Sequence, residues 1–163
     1  MKKKIILISA NRSDYGIQKN LILALQKDKN IDFRLVITGA HLKKKFGLTK
    51  NEIIEDNIKI SDTINFDIKD YTKTGVLNYI PFAIKKFSLI YKKHKPDLII
   101  ILGDRYEMLA AAIPTIILNI PVAHIHGGET TLGSFDDTIR NCITQISNLH
   151  FVCHEKYKKE CRK

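Results

Sequence analysis

Asp97-Leu98-Ile99-Ile100-Ile101-Leu102-Gly103-Asp104-Arg105-Tyr106-Glu107 is the stretch that decides the fold. Five aliphatic residues in a row, without polar alternation, read as a strand buried on both faces, which belongs at the centre of a parallel sheet. The glycine and charged residues that follow mark the turn out of it. Working outward, the same pattern recurs twice. Lys4-Ile5-Ile6-Leu7-Ile8 leads into Ser9-Ala10-Asn11-Arg12-Ser13-Asp14-Tyr15-Gly16, and Ile120-Pro121-Val122-Ala123 leads into His124-Ile125-His126-Gly127-Gly128-Glu129. In an open parallel sheet, ligands sit beyond the carboxyl ends of the strands. The three polar clusters are therefore expected to converge there, bringing together an arginine, acids and histidines. That is the makeup of a site that holds an anionic substrate and moves protons.

Strand-length apolar runs alternate with stretches of helical period. Strands are expected at 4–9, 32–38, 58–62, 97–102, 121–125 and 149–152, and helices at 16–28, 50–56, 76–93, 105–118, 135–147 and 154–162. Loops are expected at 39–49, 63–75 and 126–134. Ile17, Leu21, Ile22 and Leu25 form the inward face of the first helix. Ile80, Ala83, Ile84, Phe87, Ile90 and Tyr91 form that of the long one. Pro114 is expected to kink helix 105–118 or to end its first half. This rhythm means βαβ units, an α/β protein with a parallel sheet. No internal repeat, low-complexity stretch or interdomain linker interrupts it.

The 163 residues suffice for one domain with a core, and 44% hydrophobic with 27% charged residues is ordinary for a globular chain. No apolar run is long enough to cross a bilayer, and the start lacks a signal-peptide pattern, so a cytoplasmic protein without a membrane partner is expected. The net charge of +10 comes from lysines in scattered short groups. They lack interleaved aromatics and match no nucleic-acid module, so they read as solvated helix faces. Cys142, Cys153 and Cys161 fit neither a C-x-x-C pair nor a zinc motif, and read as free thiols.

In the first cluster, a helix N-terminus at the crevice favours an anion, and Arg12 can add a bidentate phosphate contact. Ser13 or Asp14 is expected to cap the helix. The loop is neither G-x-G-x-x-G nor a Walker A sequence, so no dinucleotide or NTPase reading follows. In the second cluster, Asp104 suits proton transfer, with Arg105 as the neighbouring cation; the plainer reading is a cap for helix 105–118, and both can hold at once. In the third, His124 and His126 point the same way on a strand. They invite a metal reading, but no further ligand lies at a motif spacing. Acid–base or hydrogen-bonding roles are favoured, and Gly127-Gly128 suggests backbone approaching a ligand. Asp136 and Asp137 open the next helix, one as a cap and the other facing the cleft. His41 divides evenly between binding and surface roles. His94, His150 and His154 read as structural.

Taken together, these stretches resemble the hydrolysing UDP-N-acetylglucosamine 2-epimerases of bacterial sialic-acid-type biosynthesis. The resemblance is carried, in order, by Ser9 to Gly16, Thr38-Gly39-Ala40-His41, Glu52-Ile53-Ile54-Glu55-Asp56, Gly103 to Glu107, His124 to Glu129 and Asp136 to Thr144. It implies a Rossmann-like sheet with helices on both faces, one half of a glycosyltransferase-B-like architecture with its active site between two domains. This chain would be the N-terminal domain. Its partners would be a UDP-sugar, a C-terminal UDP-binding domain of the same protein and further copies of itself. The implied reaction eliminates UDP to a 2-acetamidoglucal and hydrates it to N-acetylmannosamine, with no metal or nicotinamide cofactor. By motif position, Asp104, His126, Glu129 and Asp136 are the implied catalytic groups. Arg12, Asp14, His41, Arg105, His124, Gly127 and Gly128 are the implied substrate-binding ones. Part of the wider family carries glutamate at the position of His126, so either His126 or Glu129 takes that role. The alternatives to this reading are a related branch acting on UDP-diacetamido sugars and a non-catalytic nucleotide-binding module.

Overall fold

A computed structural model describes residues 2–66, 72–130 and 135–161. Six strands are present among them: β1 (Lys3–Ser9), β2 (Ile31–Thr38), β3 (Ile60–Ile64), β4 (Leu98–Leu102), β5 (Val122–Ile125) and β6 (Leu149–Phe151). Every pairing is parallel, in the order β3-β2-β1-β4-β5-β6. The helices are α1 (Arg12–Lys27), α2 (Lys50–Glu55), α3 (Lys73–His94), α4 (Tyr106–Leu118), α5 (Phe135–Ile146) and α6 (Glu155–Glu160). Two short 3-10 turns, Gly39–Leu42 and Lys44–Phe46, occupy the expected 39–49 loop.

Strand alternation sorts the core into two layers. Ile6, Ile8, Ile99 and Ile101 join α3, α4 and α5 on one face. Leu7, Ile100 and Ala123 join Tyr15, Ile22 and Ile53 of α1 and α2 on the other. Helices thus cover both faces, as a sheet of continuous aliphatic strands requires. The strand order reverses between β1 and β4, which makes their carboxyl ends the topological switch point.

Two expectations need correction. First, α1 begins at Arg12, four residues before the expected start. Asn11, not Ser13 or Asp14, is the cap: its extended backbone directs Oδ1 to accept from the Asp14 amide at 2.9 Å. Asp14 in turn accepts from the Ala10 amide at 3.3 Å, a return bond that resembles a capping box but reaches the residue before the cap. Second, the buried stripe of α1 is Asp14, Tyr15, Gln18 and Ile22, and Ile17 is exposed. The polar members enter the interior because each finds a backbone partner; the Gln18 amide donates to the Ile8 carbonyl at 3.4 Å. Of the two outcomes expected at Pro114, the ending does not occur: α4 runs through it to Leu118. Proline weakens the turn before it, and that turn has other donors: the Tyr91 hydroxyl bonds the Ala111 carbonyl at 2.9 Å and the Thr115 hydroxyl bonds that of Ala112 at 2.6 Å. Pro81 is likewise tolerated inside α3.

Smaller differences are shifts of boundary. β3 lies two residues later than expected and α3 begins three residues earlier. Parts of the expected loops, residues 67–71 and 131–134, lie outside the described residues.

Candidate active site

Because β1, β4 and β5 are consecutive neighbours and parallel, the three polar turns that follow them share one rim of the sheet. At the β1 turn, Arg12 is largely exposed and pairs with Glu52 at 3.0 Å. Asp14 lies buried behind it. Burial pushes its carboxyl up to about 6, against the opposing charge of Arg105 and the hydrogen bond from Ala10.

At the β4 turn, Gly103 adopts φ +77° and Arg105 takes the cap position of α4 without a side-chain capping bond. Asp104 therefore does not cap this helix. Arg105 instead forks onto Glu107, with Nε–Oε2 3.1 Å and Nη2–Oε1 2.8 Å, and Glu107 is only 1% exposed. Gly39 makes room for this pair. It stands at φ +58°, and a Cβ there would come within 2.8 Å of both the Ala10 carbonyl and Glu107 Oε1. A cavity of about 590 Å³ opens between the β1, β2 and β4 turns, with Arg12, Lys43, Tyr79, Arg105, Tyr106 and Glu107 in its wall.

The β5 turn departs most from expectation. β5 ends at Ile125, and His126 has φ +63°, so the alternation that would put His124 and His126 on one face is broken. His124 is fully buried. Its Nε2–H donates to the Gly103 carbonyl at 2.7 Å, which leaves Nδ1 to accept from the Thr144 hydroxyl at 3.3 Å. Thr144 also accepts from the Gly128 amide at 3.2 Å. Burial lowers the His124 pKa to about 4, so the ring stays neutral and bolts the β4 turn to the β5 turn. His126 is on the surface side, with Nδ1 2.8 Å from Glu129 Oε1.

The glycines next to it pack closely against protein. A Cβ on Gly127 would meet His124 Nδ1 at 2.9 Å, and one on Gly128, at φ +70°, would meet the Tyr157 carbonyl at 2.7 Å and Cys161 Sγ at 2.8 Å. His41 is also interior: fully buried, it bonds Ser9 at 2.9 Å and Thr49 at 2.8 Å, and burial lowers its pKa to about 4. Asp136 and Asp137 both lie within the first turn of α5. His94 pairs with Asp62 at 2.6 Å, and His154 caps α6 through the Lys156 amide at 3.1 Å.

The centre of the rim is a residue the sequence reading passed over. Arg140, on α5, is 6% exposed. It bonds Asp104 through Nη2, donates from Nη1 to the His126 carbonyl at 2.7 Å, and lies 3.5 Å from Glu129 Oε2. The cation beside Asp104 is thus Arg140, not Arg105. The signal was present: Arg140 falls in the inward stripe of α5 with Ile139, Ile143 and Thr144, where an unpaired arginine would be very costly. Glu107 was legible in the same way, in the first turn of a helix and among apolar neighbours.

Asp104, Arg140, Glu129 and His126 thus form one connected set of acid, base and cation at the mouth of β4 and β5. Arg12 and Arg105 stand beside it at the switch point. The arrangement can hold an anion and exchange protons at a nearby carbon.

The sequence is 42% identical over 158 residues to the GDP/UDP-N,N'-diacetylbacillosamine 2-epimerase (hydrolyzing) of Campylobacter jejuni, covering 97% of this chain and 41% of that protein. It is 38% identical over 159 residues to the UDP-N,N'-diacetylbacillosamine 2-epimerase (hydrolyzing) of Legionella pneumophila, covering 98% of this chain and 42% of that one. The chain therefore spans about two fifths of the length of these curated relatives. In fold it superposes on the UDP-GlcNAc 2-epimerase of Neisseria meningitidis, crystallised with UDP-GlcNAc, with a TM-score of 0.85 at 21% identity, over 98% of this chain and 42% of that chain. The chain has the parallel α/β fold of one half of a glycosyltransferase-B-like structure. Residues 23–163 match the family described as UDP-N-acetylglucosamine 2-epimerase, and on this match and these relatives the chain belongs to that family.

Proposed function

We propose that this chain is the N-terminal half of a hydrolysing UDP-HexNAc 2-epimerase. A second, UDP-binding domain of the same protein would close over the rim, and the enzyme would work as a homo-oligomer. The observation that carries this reading is the Asp104–Arg140–Glu129–His126 network at the switch-point rim.

In the first stage a base takes the proton from sugar C2 while the C1–O bond breaks and UDP departs with the bonding electrons, leaving a 2-acetamidoglucal. In the second stage water adds its hydroxyl to C1, and a proton reaches C2 from the opposite face. The product is the free 2-epimeric sugar. Two protonic groups on one rim suit this sequence: the Glu129–His126 pair and Asp104. Arg140 holds both carboxylates in place. Arg12 and the α1 N-terminus supply positive potential for the diphosphate. Asp14, Arg105 and Asp136 flank these groups, while His41, His124, Gly127 and Gly128 shape the turns from behind.

A diacetamido substrate is the second reading, favoured by the names of the two relatives at 42% and 38% identity. The full-length protein carrying this chain, supplied with UDP-GlcNAc or UDP-N,N'-diacetylbacillosamine, is expected to release UDP and a reducing sugar deuterated at C2 in heavy water. Absence of UDP release from both would overturn the proposal. Weak UDP binding without turnover would point to a nucleotide-binding module.

A further inference from the structure

His126, Glu129 and Cys153 reach one point from different parts of the chain. One ligand atom from each lies within 4.8 Å of the other two. His126 Nδ1 is 2.8 Å from Glu129 Oε1, and the Cys153 thiol donates to that same oxygen at 3.0 Å. With bonds of about 2.0–2.3 Å, ligand atoms around a tetrahedral zinc ion stand roughly 3.3–3.8 Å apart. Small side-chain rotations therefore convert this hydrogen-bonded trio into a coordination shell.

The backbone fixes these groups in place. His126 occupies the left-handed region at φ +63°, which a non-glycine residue holds only when its surroundings over-determine it. Its carbonyl is gripped by Arg140 at 2.7 Å, and its amide donates to the Phe151 carbonyl at 2.8 Å. Phe151 lies two residues before Cys153, so the pairing that clamps His126 also delivers the thiol. Along the chain the histidines have no third ligand at motif spacing; the third donor comes from the end of the neighbouring strand.

We propose that His126, Glu129 and Cys153 bind a thiophilic divalent cation of the zinc class, with solvent as the fourth ligand. Mixed nitrogen, oxygen and sulfur donors favour such ions over magnesium or calcium. Arg140 approaches the other carboxylate oxygen, Oε2, and leaves Oε1 to the ion. The thiol proton leaves to solvent on binding. His126 and Glu129 also belong to the proposed acid–base set, so a bound cation would compete with turnover. Binding itself does not depend on that reading.

Cobalt(II), titrated anaerobically into the 163-residue chain with zinc as competitor, tests this. One equivalent should bind with a sulfur-to-cobalt charge-transfer band in the near ultraviolet, and zinc should abolish it. Cys153→Ser should remove the band and weaken zinc binding by about tenfold or more. Glu129→Gln should weaken zinc binding while circular dichroism shows an intact fold. Cys142→Ser, an exposed thiol elsewhere, should change neither. Binding without a thiolate band, or a band that survives Cys153→Ser, would overturn the proposal whatever the enzymatic activity proves to be.

Discussion

Arg140 shows how one side chain can organise a site. It is nearly buried, and two carboxylates and a carbonyl face it. Replacing it with methionine keeps the volume and strands the acids. Loss of one partner from a fully buried pair costs about 3–5 kcal/mol. Asp104 and Glu129 retain some solvent, so Arg140→Met should cost less, about 1–3 kcal/mol in urea unfolding. Arg140→Lys should recover only part, since an ammonium lacks the planar fork. A methionine variant as stable as the parent would contradict this role. The residue types around Arg140 were readable from the sequence, but their pairing was not. Asp104 has an arginine next to it in sequence and another 36 positions away, and it is the distant one that reaches it. Arg105 is taken by Glu107.

At the scale of the element, α1 is the instructive case. Reading Gly16 as a boundary hid the first turn, because glycine disfavours helix interiors. The Asn11 cap and the Asp14 return bond overcome that penalty. Gly16 is exposed, and a Cβ there would meet nothing within 4 Å. Gly16→Ala should therefore stabilise the chain by about 0.5–1 kcal/mol, raising the urea midpoint without changing the slope. A lowered midpoint would show that the helix does not begin at Arg12. β4 was legible in full because an unbroken aliphatic run has few alternatives. The β5 turn was not: period-2 logic fails once His126 turns left-handed, and no local pattern announces that. That α4 would continue past Pro114 was not legible for a related reason, since the hydroxyls of Tyr91 and Thr115 that serve its weakened turn are tertiary or side-chain features.

For the whole molecule, buried titrating groups set an acid response. His41 and His124 are held at about 4 by burial, below the ordinary histidine value of 6.5. Between those values the unfolded chain takes up their protons and the folded chain does not, so stability falls as pH falls. Asp14 acts oppositely: raised from 3.8 to about 6, it is protonated first in the folded state. Near pH 5 the two histidines outweigh the one aspartate by about one proton, which gives a loss of about 1.4 kcal/mol per pH unit on acidification. His150, also lowered by burial, adds in the same direction. Asp56, lowered by Lys19 and Tyr15, and Asp62, lowered by Lys93 and His94 together against an opposing effect of burial, contribute only below this window. Urea unfolding at pH 7, 6 and 5 checks the slope, and His41→Gln should flatten it. The α/β architecture and the convergence of three turns were legible in the strand rhythm, because parallel topology leaves few ways to order such strands. The division of each turn into exposed and interior residues required the packing itself.

The central claim is that the rim network performs the proton chemistry. It is tested most directly by measuring UDP release and C2 deuterium incorporation for the full-length protein and its Asp104→Asn variant. The network predicts that both rates fall together by about a hundredfold or more, with circular dichroism unchanged. A folded Asp104→Asn protein that releases UDP and incorporates deuterium at the parental rate would contradict it.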